Sequence, residues 1–344
     1  MRISFYLLVV CLFSACSSIN YIGIETYNPA EITFPKDVKR VLIVNNAVAQ
    51  PENAGYLYKL FGTEQDTARA KADSALYDAC ESMGKLIADV PFFEDVLLYH
   101  DAVRTDGEYL LDKKLSAGEV KELCEETGTD AIISFDRLLF QMDKHIVAFS
   151  EGFVRGEIEV KITGVVRAYL PTRDNPLAAI LINDSVFWAE NASNLVQLEY
   201  YLPEPTEALR AAGRYIGTNI TPNFVPHWEN ETRWYYGGMG SRWKEASAYA
   251  ASDNWEEASM RWRHLYHNSS NWKERARAAS NLALYYEMNT QLKEAYDWAS
   301  KSYDLYEKKK GDKDEYTQLQ KLYMGALTNR LRLEEKLNMQ FGED

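Results

Sequence analysis

Two kinds of hydrophobic spacing follow each other along the first two thirds of the chain, and they predict alternating strands and helices. Short apolar runs predict three strands, at 38–45, 92–99 and 129–140. The first of these segments contains a continuous Val/Leu/Ile run, which predicts a strand buried on both faces. Helical spacing over 67–90 predicts one helix, and the capping-box pair Ser116 and Glu119 predicts the start of another.

A hairpin and a further helix are predicted to follow these strands. Apolar and polar residues alternate at 156–170 and 177–189, and the turn residues between them favour an antiparallel hairpin. Helical spacing returns at 204–218, before an aromatic segment at 228–236. The whole pattern predicts an α/β (α+β) module with a mixed sheet over residues 36–236.

The last third of the chain carries helical spacing and repeats a short pattern. Residues 254–258 correspond to 291–295 at an offset of 37 residues, close to the roughly 34 residues of a tetratricopeptide repeat. Ten residues fall at the spacing of that repeat: Ala246, Tyr249, Trp255, Ala258, Trp262, Leu282, Ala283, Tyr286, Leu292 and Ala295. Residues 241–344 are therefore predicted to form all-α, tetratricopeptide-like repeats, with 319–337 as a capping helix or a third hairpin.

Two interpretations of the aromatic residues in these repeats stay open. Paired helices of this kind offer a concave face that binds peptides or proteins. For each single tryptophan, however, a place in the core is favoured, because aromatic side chains fill the groove between paired helices.

The chain begins with a segment typical of export. One cation precedes an apolar run at 3–13 and two small residues, which predicts a signal peptide over residues 1–15. This run is shorter than the roughly 20 residues that a membrane-spanning helix needs. Residues 13–16 resemble a bacterial lipobox, in which the cysteine, here Cys16, is lipidated and becomes the new N-terminus. Residues 16–35 are then predicted as lipid anchor and extended tether.

The residues after the cysteine bear on its destination. Position 17 is a serine and not an aspartate, and no acidic cluster follows it. By resemblance to known sorting signals, these features imply neither retention in the inner membrane nor export to the cell surface. The expected location is the outer membrane, with the protein lipid-anchored and facing the periplasm.

Charge narrows the choice of partners. The net charge of the 344 residues is −13, which argues against binding to nucleic acid. The charge lies in residues 21–229, which hold 19 basic and 33 acidic residues, whereas 230–344 hold 18 of each. Seven of the eight tryptophans lie between Trp228 and Trp298. The two parts therefore differ as two modules would, and the glycine-rich stretch 237–240 is the predicted boundary.

No motif in the sequence predicts catalysis. His264 and His267 are three residues apart on a predicted helix, but no nearby cysteine or acidic residue completes a metal site. Nucleophile-elbow, zinc-protease and phosphate-loop motifs are absent. Cys80 and Cys124 lie on apolar helix stripes, where two buried thiols and a disulfide both stay open. We therefore predict no enzymatic activity, no cofactor and no metal.

The order of elements resembles that of known envelope proteins. The first strand, the long helix, the strand FEDVLLY at 93–99 and the segment GTDAIISFDRL at 128–138 resemble the α/β module of the TolB N-terminal domain. Curli-secretion lipoproteins and lipoprotein activators of penicillin-binding proteins share that module. The resemblance covers residues 36–222 and implies a role in interactions within the cell envelope.

The opening of the module resembles a narrower group. The segment PAEITFP at 29–35, followed by VKRVLIVNN at 38–46, resembles Bacteroidetes lipoproteins of unassigned function that end in tetratricopeptide-like helices. The resemblance carries over no functional residue beyond Cys16.

Three functions stay open on this basis. The first hypothesis is an outer-membrane-anchored, periplasmic lipoprotein that acts as a protein-binding or assembly module of the cell envelope. Its partner would be an envelope protein or peptide, and it would touch the membrane only through its lipid anchor. The second is an envelope hydrolase that acts on glycan or peptidoglycan through two carboxylates about 5–9.5 Å apart. The third is a structural subunit of an oligomeric envelope complex.

Overall fold

The computed structural model describes residues 19–65, 69–238 and 240–342. The predicted signal peptide and the lipidation residue Cys16 lie outside the described residues. The chain forms two compact units. We call Ala30–His227, with 340–342, the α/β unit, and the described residues 19–29 and 228–339 the helical unit.

Nine strands are present among the described residues: β1 (Ile19–Asn28), β2 (Arg40–Asn45), β3 (Tyr56–Leu60), β4 (Thr63–Glu64), β5 (Asp95–Leu98), β6 (Ala131–Ala148), β7 (Val154–Tyr169), β8 (Ala178–Ala192) and β9 (His227–Tyr236). The described helices are α1 (Asp73–Asp89), α2 (Ala117–Thr127), α3 (Leu195–Tyr201), α4 (Pro205–Ile220), α5 (Ser241–Ala251), α6 (Trp255–Asn268), α7 (Trp272–Met288), α8 (Leu292–Lys310) and α9 (Glu315–Phe341). The coarse prediction of a mixed sheet followed by an all-α region is confirmed.

Strand β6 is the centre of the sheet in the α/β unit. One edge of β6 pairs antiparallel with β7 along nearly its whole length, and β8 continues that side of the sheet. The other edge pairs in parallel with β2 at 131–135 and then with β3 at 142–146. Strand β5 pairs in parallel with β2, so the first half of the sheet has the order β5-β2-β6-β7-β8.

The two faces of β2 are covered by different helices. Val41 and Ile43 belong to the buried cluster that contains α1 and α4 residues. Leu42 and Val44 belong to a second cluster with residues of α2. A strand covered on both faces is continuously apolar, which is why the run at 38–45 identified it correctly.

Helices α1 and α4 pack closely because two glycines face α1. A side-chain carbon on Gly213 would lie 2.2 Å from the carbonyl oxygen of Ala75, and one on Gly217 would lie 2.2 Å from that of Ala79. Asp78 of α1 is buried there and accepts hydrogen bonds from Arg214 at 2.7 Å and Arg210 at 2.9 Å.

Several element boundaries differ from the predicted ones. The hairpin β3–β4 and helix α3 were not expected, and β6 extends eight residues beyond the predicted end at 140, to Ala148. The added part of β6 mixes polar and apolar residues without a clear pattern, but β3 and β7 pair with it on both edges and so complete its backbone hydrogen bonds. Helix α1 begins at Asp73, later than the predicted start at 67.

The helical unit includes two strands that the sequence places elsewhere. Strand β1, in the segment predicted as a tether, pairs with β9, which was predicted as the end of the α/β module. The compact units therefore divide before Trp228, within the segment predicted as the end of the α/β module. The reason is burial, since Tyr235 and Tyr236 of β9 belong to the core of the helical unit.

Helices α5 to α8 form two hairpins that repeat at a constant interval. Their turns contain Asp253 at φ 61° and Thr290 at φ 57°, which are 37 residues apart. The helices that follow, α6 and α8, begin at Trp255 and Leu292, again 37 residues apart. The internal repeat in the sequence thus corresponds to a repeated backbone geometry. Residues 319–337 lie in the single helix α9 and do not form a third hairpin.

Candidate functional site

The ten repeat-position residues lie on α5, α6, α7 and α8, and most of them form the core of the helical unit. Eight of them are buried: Ala246, Trp255, Ala258, Trp262, Leu282, Ala283, Leu292 and Ala295. The expectation of core tryptophans therefore holds for Trp255 and Trp262. Tyr249 and Tyr286 are only partly buried and reach the surface of the unit.

The C-terminal part of β9 lies against these helices as an extended segment. Tyr235 contacts Trp255 and Trp262 of α6, with ring centroids 5.5 and 6.3 Å apart. The main chain of Tyr236 is held from both sides by Asn281 of α7, which accepts from its N–H at 2.6 Å and donates to its carbonyl at 2.8 Å. Tyr235 and Tyr236 of β9 thus pack against α6 and α7.

A buried carboxylate of α7, that of Glu287, also binds β9, through the side chain of Arg233. Glu287 accepts hydrogen bonds from Nε and Nη2 of Arg233 at 3.0 and 2.8 Å. It also accepts from Nη1 of Arg330 at 2.9 Å and from the hydroxyl of Tyr323 at 2.7 Å. The side chain of Glu287 is 0% exposed and those of Arg233 and Arg330 are 7% and 11% exposed, so this is an ion cluster shielded from water.

Burial and the carboxylate shift two pKa values in this cluster. Burial, followed by the negative charge of Glu287, raises the pKa of Tyr323 well above its usual range. Burial by itself would lower the pKa of Arg233, but hydrogen bonding and attraction to Glu287 outweigh it and raise the pKa. Tyr323 therefore stays a neutral donor and Arg233 a cation, which fits a structural cluster.

Two arginines of α6 stack on the two partly exposed tyrosines. The guanidinium of Arg261 lies 4.3 Å from the ring centroid of Tyr249. Arg263 lies 5.9 Å from the ring centroid of Tyr286 and donates to its hydroxyl at 2.7 Å. We call these four residues the Tyr–Arg surface; they form two separate pairs, one between α5 and α6 and one between α6 and α7.

In the α/β unit, a buried carboxylate marks the carboxyl end of the parallel strands. Asp136 sits at a bulge in β6 and is 0% exposed. It accepts from Asn46 at 3.1 Å, from Ser134 at 2.8 Å, from Arg167 at 2.8 Å and from the hydroxyl of Tyr169. The donors come from the residue after β2, from β6 itself and from β7, so the carboxylate joins these three strands at the bulge.

The same cluster fastens the loop at 99–116, which connects β5 to α2. Arg167 donates to both oxygens of Asp112, at 2.7 and 2.9 Å. These hydrogen bonds lower the pKa of Asp112. Within the loop, Arg104 donates to Asp106 at 3.0 and 3.1 Å and to the carbonyls of Glu108 and Leu111 at 3.1 Å. The Arg104 hydrogen bond lowers the pKa of Asp106 to about 2.

A cleft of about 340 Å³ opens beside this loop. We call it the edge cleft. Its lining comes from the end of β2, from α1 and from the segment after β5: Asn45, Ala47, Val48, Ala49, Asp73, Leu76, Tyr77, Cys80, Tyr99, His100, Ala102 and Arg104. Among these described residues Asp73 is the one carboxylate, so the edge cleft does not supply the pair of acids that the hydrolase hypothesis requires.

The remaining sequence candidates lie apart from these sites. Cys80 and Cys124 are both buried free thiols, and burial raises the pKa of Cys80 to about 12. Within 19–65, 69–238 and 240–342, no group of three or more potential metal ligands is found. In the same described ranges, no helix combines the length and the apolarity needed to cross a membrane.

The fold defines a class of protein with a mixed α/β sheet unit and a unit of repeated helical hairpins. Residues 38–236 match the model of a family described as a domain of unknown function, DUF8603. Because the match covers more than half of the chain, the chain belongs to this family. Residues 244–329 match a second model, described as a domain of unknown function, DUF6340. The comparison with curated proteins found no match.

The residues that sequence reasoning missed are polar and buried. Asn281, Glu287 and Asp136 are each 0–1% exposed and are held by partners far away in the sequence. Their local signal is a polar residue inside an apolar helix or strand pattern. Such a residue indicates a buried polar group, but its partners are seen only when the chain is folded.

Proposed function

We propose that this chain is a lipoprotein, anchored through Cys16 in the periplasmic leaflet of the outer membrane, that acts as a protein-binding or assembly module of the cell envelope without catalysis. The export segment at 1–15 and the lipobox-like residues 13–16 support the anchor. The resemblance of the α/β unit to the TolB and curli-secretion modules supports work in the envelope.

The helical hairpins are proposed to be tetratricopeptide-like. The interval of 37 residues between their turns supports this assignment. Small buried residues such as Ala258 and Ala295 occupy equivalent positions on α6 and α8, which lets paired helices approach closely.

The observation that carries the proposed binding role is the Tyr–Arg surface. Because Tyr235 and Tyr236 of β9 cover parts of α6 and α7, a partner would contact partly exposed side chains of the helices instead. Tyr249 and Tyr286 lie 37 residues apart, and an arginine stacks on each. Tyrosine and arginine are the residue types most enriched, with tryptophan, at the energetic centres of protein interfaces. The Tyr–Arg surface is therefore the proposed contact for an envelope partner.

The anchor is tested by blocking lipoprotein signal processing with a globomycin-type inhibitor. We expect the precursor to accumulate and a Cys16→Ala variant to lose metabolic labelling with palmitate. If the wild-type chain matures normally under the inhibitor, and Cys16→Ala fractionates and labels as wild type does, the anchor is wrong.

The binding role is tested by a tagged pull-down from detergent-solubilised envelope. The wild-type chain is compared with Arg263→Ala/Tyr286→Ala, and with the matched control Lys293→Ala/Lys309→Ala at exposed positions of α8. We expect a stoichiometric partner that is lost from the first variant and kept by the control. A partner retained equally by both variants would move recognition away from the Tyr–Arg surface.

A further inference from the structure

The edge cleft lies beside β2, where the strands that follow it in the chain are added on opposite sides. After β2 the chain forms the β3–β4 hairpin and then passes through α1 to β5 on one side of β2. It returns through α2 to β6, which pairs with the other edge of β2. The two crossover helices cover opposite faces of β2. In open α/β sheets, the crevice outside the carboxyl ends of the strands at such a point is where ligands bind. Asn45, the last residue of β2, and residues 47–49 line the edge cleft at this point.

Four polar side chains that line the edge cleft have no hydrogen-bond partner among the described residues. Asp73 and Tyr77 stand one turn apart on α1, and Tyr99 and His100 follow β5. Among the described residues, no hydrogen bond engages these four side chains. Arg104, in contrast, is committed to Asp106 and to two main-chain carbonyls. The edge cleft therefore presents a free carboxylate, two phenol rings and an imidazole, but no uncommitted guanidinium or ammonium group.

The surrounding charge acts in the same direction. Residues 21–229 carry 33 acidic and 19 basic residues, so the field around this unit favours the approach of cations and disfavours anions. A carboxylate beside aromatic rings is a common way to bind an ammonium group, through charge pairing and through attraction to the ring faces.

We propose that the edge cleft binds a small organic cation, with its ammonium group held by Asp73 and by the rings of Tyr77 and Tyr99. The volume of about 340 Å³ is in the range of small-molecule sites. The apolar residues Leu76 and Val48 would contact the carbon skeleton of the ligand. This site involves neither Cys16 nor the helical unit, so its test is independent of the tests of the proposed anchor and partner.

The test is titration of the full chain, purified in neutral detergent, with spermidine by isothermal titration calorimetry. A second arm uses ethanolamine, the amine of a lipid headgroup, to distinguish a free polyamine from a headgroup as the source of the ammonium group. Sucrose and inorganic phosphate serve as neutral and anionic comparisons. Imidazole resonances, assigned with a His100→Gln variant, locate binding at the edge cleft.

We expect one-site binding of an amine, with a shift of the His100 resonance and no binding of sucrose or phosphate. Asp73→Asn should weaken the affinity about fivefold or more. Asp89→Asn, at the opposite and exposed end of α1, carries the same charge change and should leave the affinity unchanged. Equal weakening by both variants would mean nonspecific attraction to an acidic protein and would overturn the proposal. Absence of amine binding, or binding of phosphate in its place, would overturn it as well.

Discussion

Removal of the Glu287 carboxylate is the perturbation with the largest expected effect on the helical unit. Glu287 accepts from Arg233, Arg330 and Tyr323 in a region where its own side chain is 0% exposed. The substitution Glu287→Ala would leave the guanidinium of Arg330, 11% exposed, without its counter-charge, and that of Arg233 with only the partly exposed Glu231. It would also leave the hydroxyl of Tyr323 without its acceptor.

The magnitude follows from the cost of an uncompensated buried charge. Loss of one partner of a buried ion pair typically costs about 3–5 kcal/mol. With a urea dependence of about 2 kcal/mol per molar, the midpoint of unfolding of the helical unit should fall by about 1.5–2.5 M.

Tryptophan fluorescence during urea unfolding measures this change selectively. Seven of the eight tryptophans lie between Trp228 and Trp298, so the signal reports mainly on the helical unit. Glu294→Ala, at an exposed position of α8, is the matched control and should shift the midpoint by less than about 0.3 M. If Glu287→Ala shifted the midpoint no more than this control, the cluster would not hold β9 to the helices, and the reasoning would be refuted.

Three further substitutions test separate parts of the account. Gly217→Ala should destabilise the α/β unit by about 1–3 kcal/mol in scanning calorimetry, because its new carbon would lie 2.2 Å from the Ala79 carbonyl. Gly325→Ala, in open space, should be neutral or slightly stabilising, and equal effects would contradict the close packing of α1 and α4. Asn281→Ala should cost about 2–4 kcal/mol by fluorescence-monitored unfolding, since it unpairs two buried main-chain groups of Tyr236, whereas the exposed Asn289→Ala should cost far less. Ser116→Ala should cost about 1 kcal/mol. Hydrogen bonds from Ser116 lower the pKa of Glu119 below its ordinary 4.5, so their contribution is present above that pH and is lost as the pH falls below it. The variant should therefore show a flatter loss of stability on acidification than wild type, and an unchanged acid slope would speak against the capping box.

The parts of the fold that were predictable are those with a local cause. Ser116 and Glu119 form the capping box, and Gly128 ends the same helix at φ 65°, as their positions in the sequence indicate. The hairpin β7–β8 follows from its alternating pattern. Helix α3 had a weaker signal of the same kind, because Asn194 accepts from the N–H of Gln197 at its start. The hairpin β3–β4 turns at Phe61 and Gly62, both with positive φ. Phenylalanine is not a typical residue at such a position, so the sequence did not predict this two-residue turn.

The parts that were not predictable depend on contacts between distant residues. In the sequence, β9 is an aromatic segment that predicts neither a helix nor a strand. In the structure it is held against the helices by Asn281, which is 45 residues from Tyr236, and by Glu287. The bulge at Asp136 likewise depends on donors from Asn46, which follows β2, and from Arg167 of β7. The edge cleft arises from strand order, which the hydrophobic pattern does not encode.

The most direct test of the proposed binding role is site-specific photo-crosslinking in living cells. A photoreactive residue replaces Tyr286 or Tyr249 on the Tyr–Arg surface, and the exposed Leu322 of α9 serves as the control position. We predict one envelope protein crosslinked at both tyrosine positions and not at Leu322. No adduct at the two tyrosine positions, or the same adducts at all three positions, would contradict the proposal.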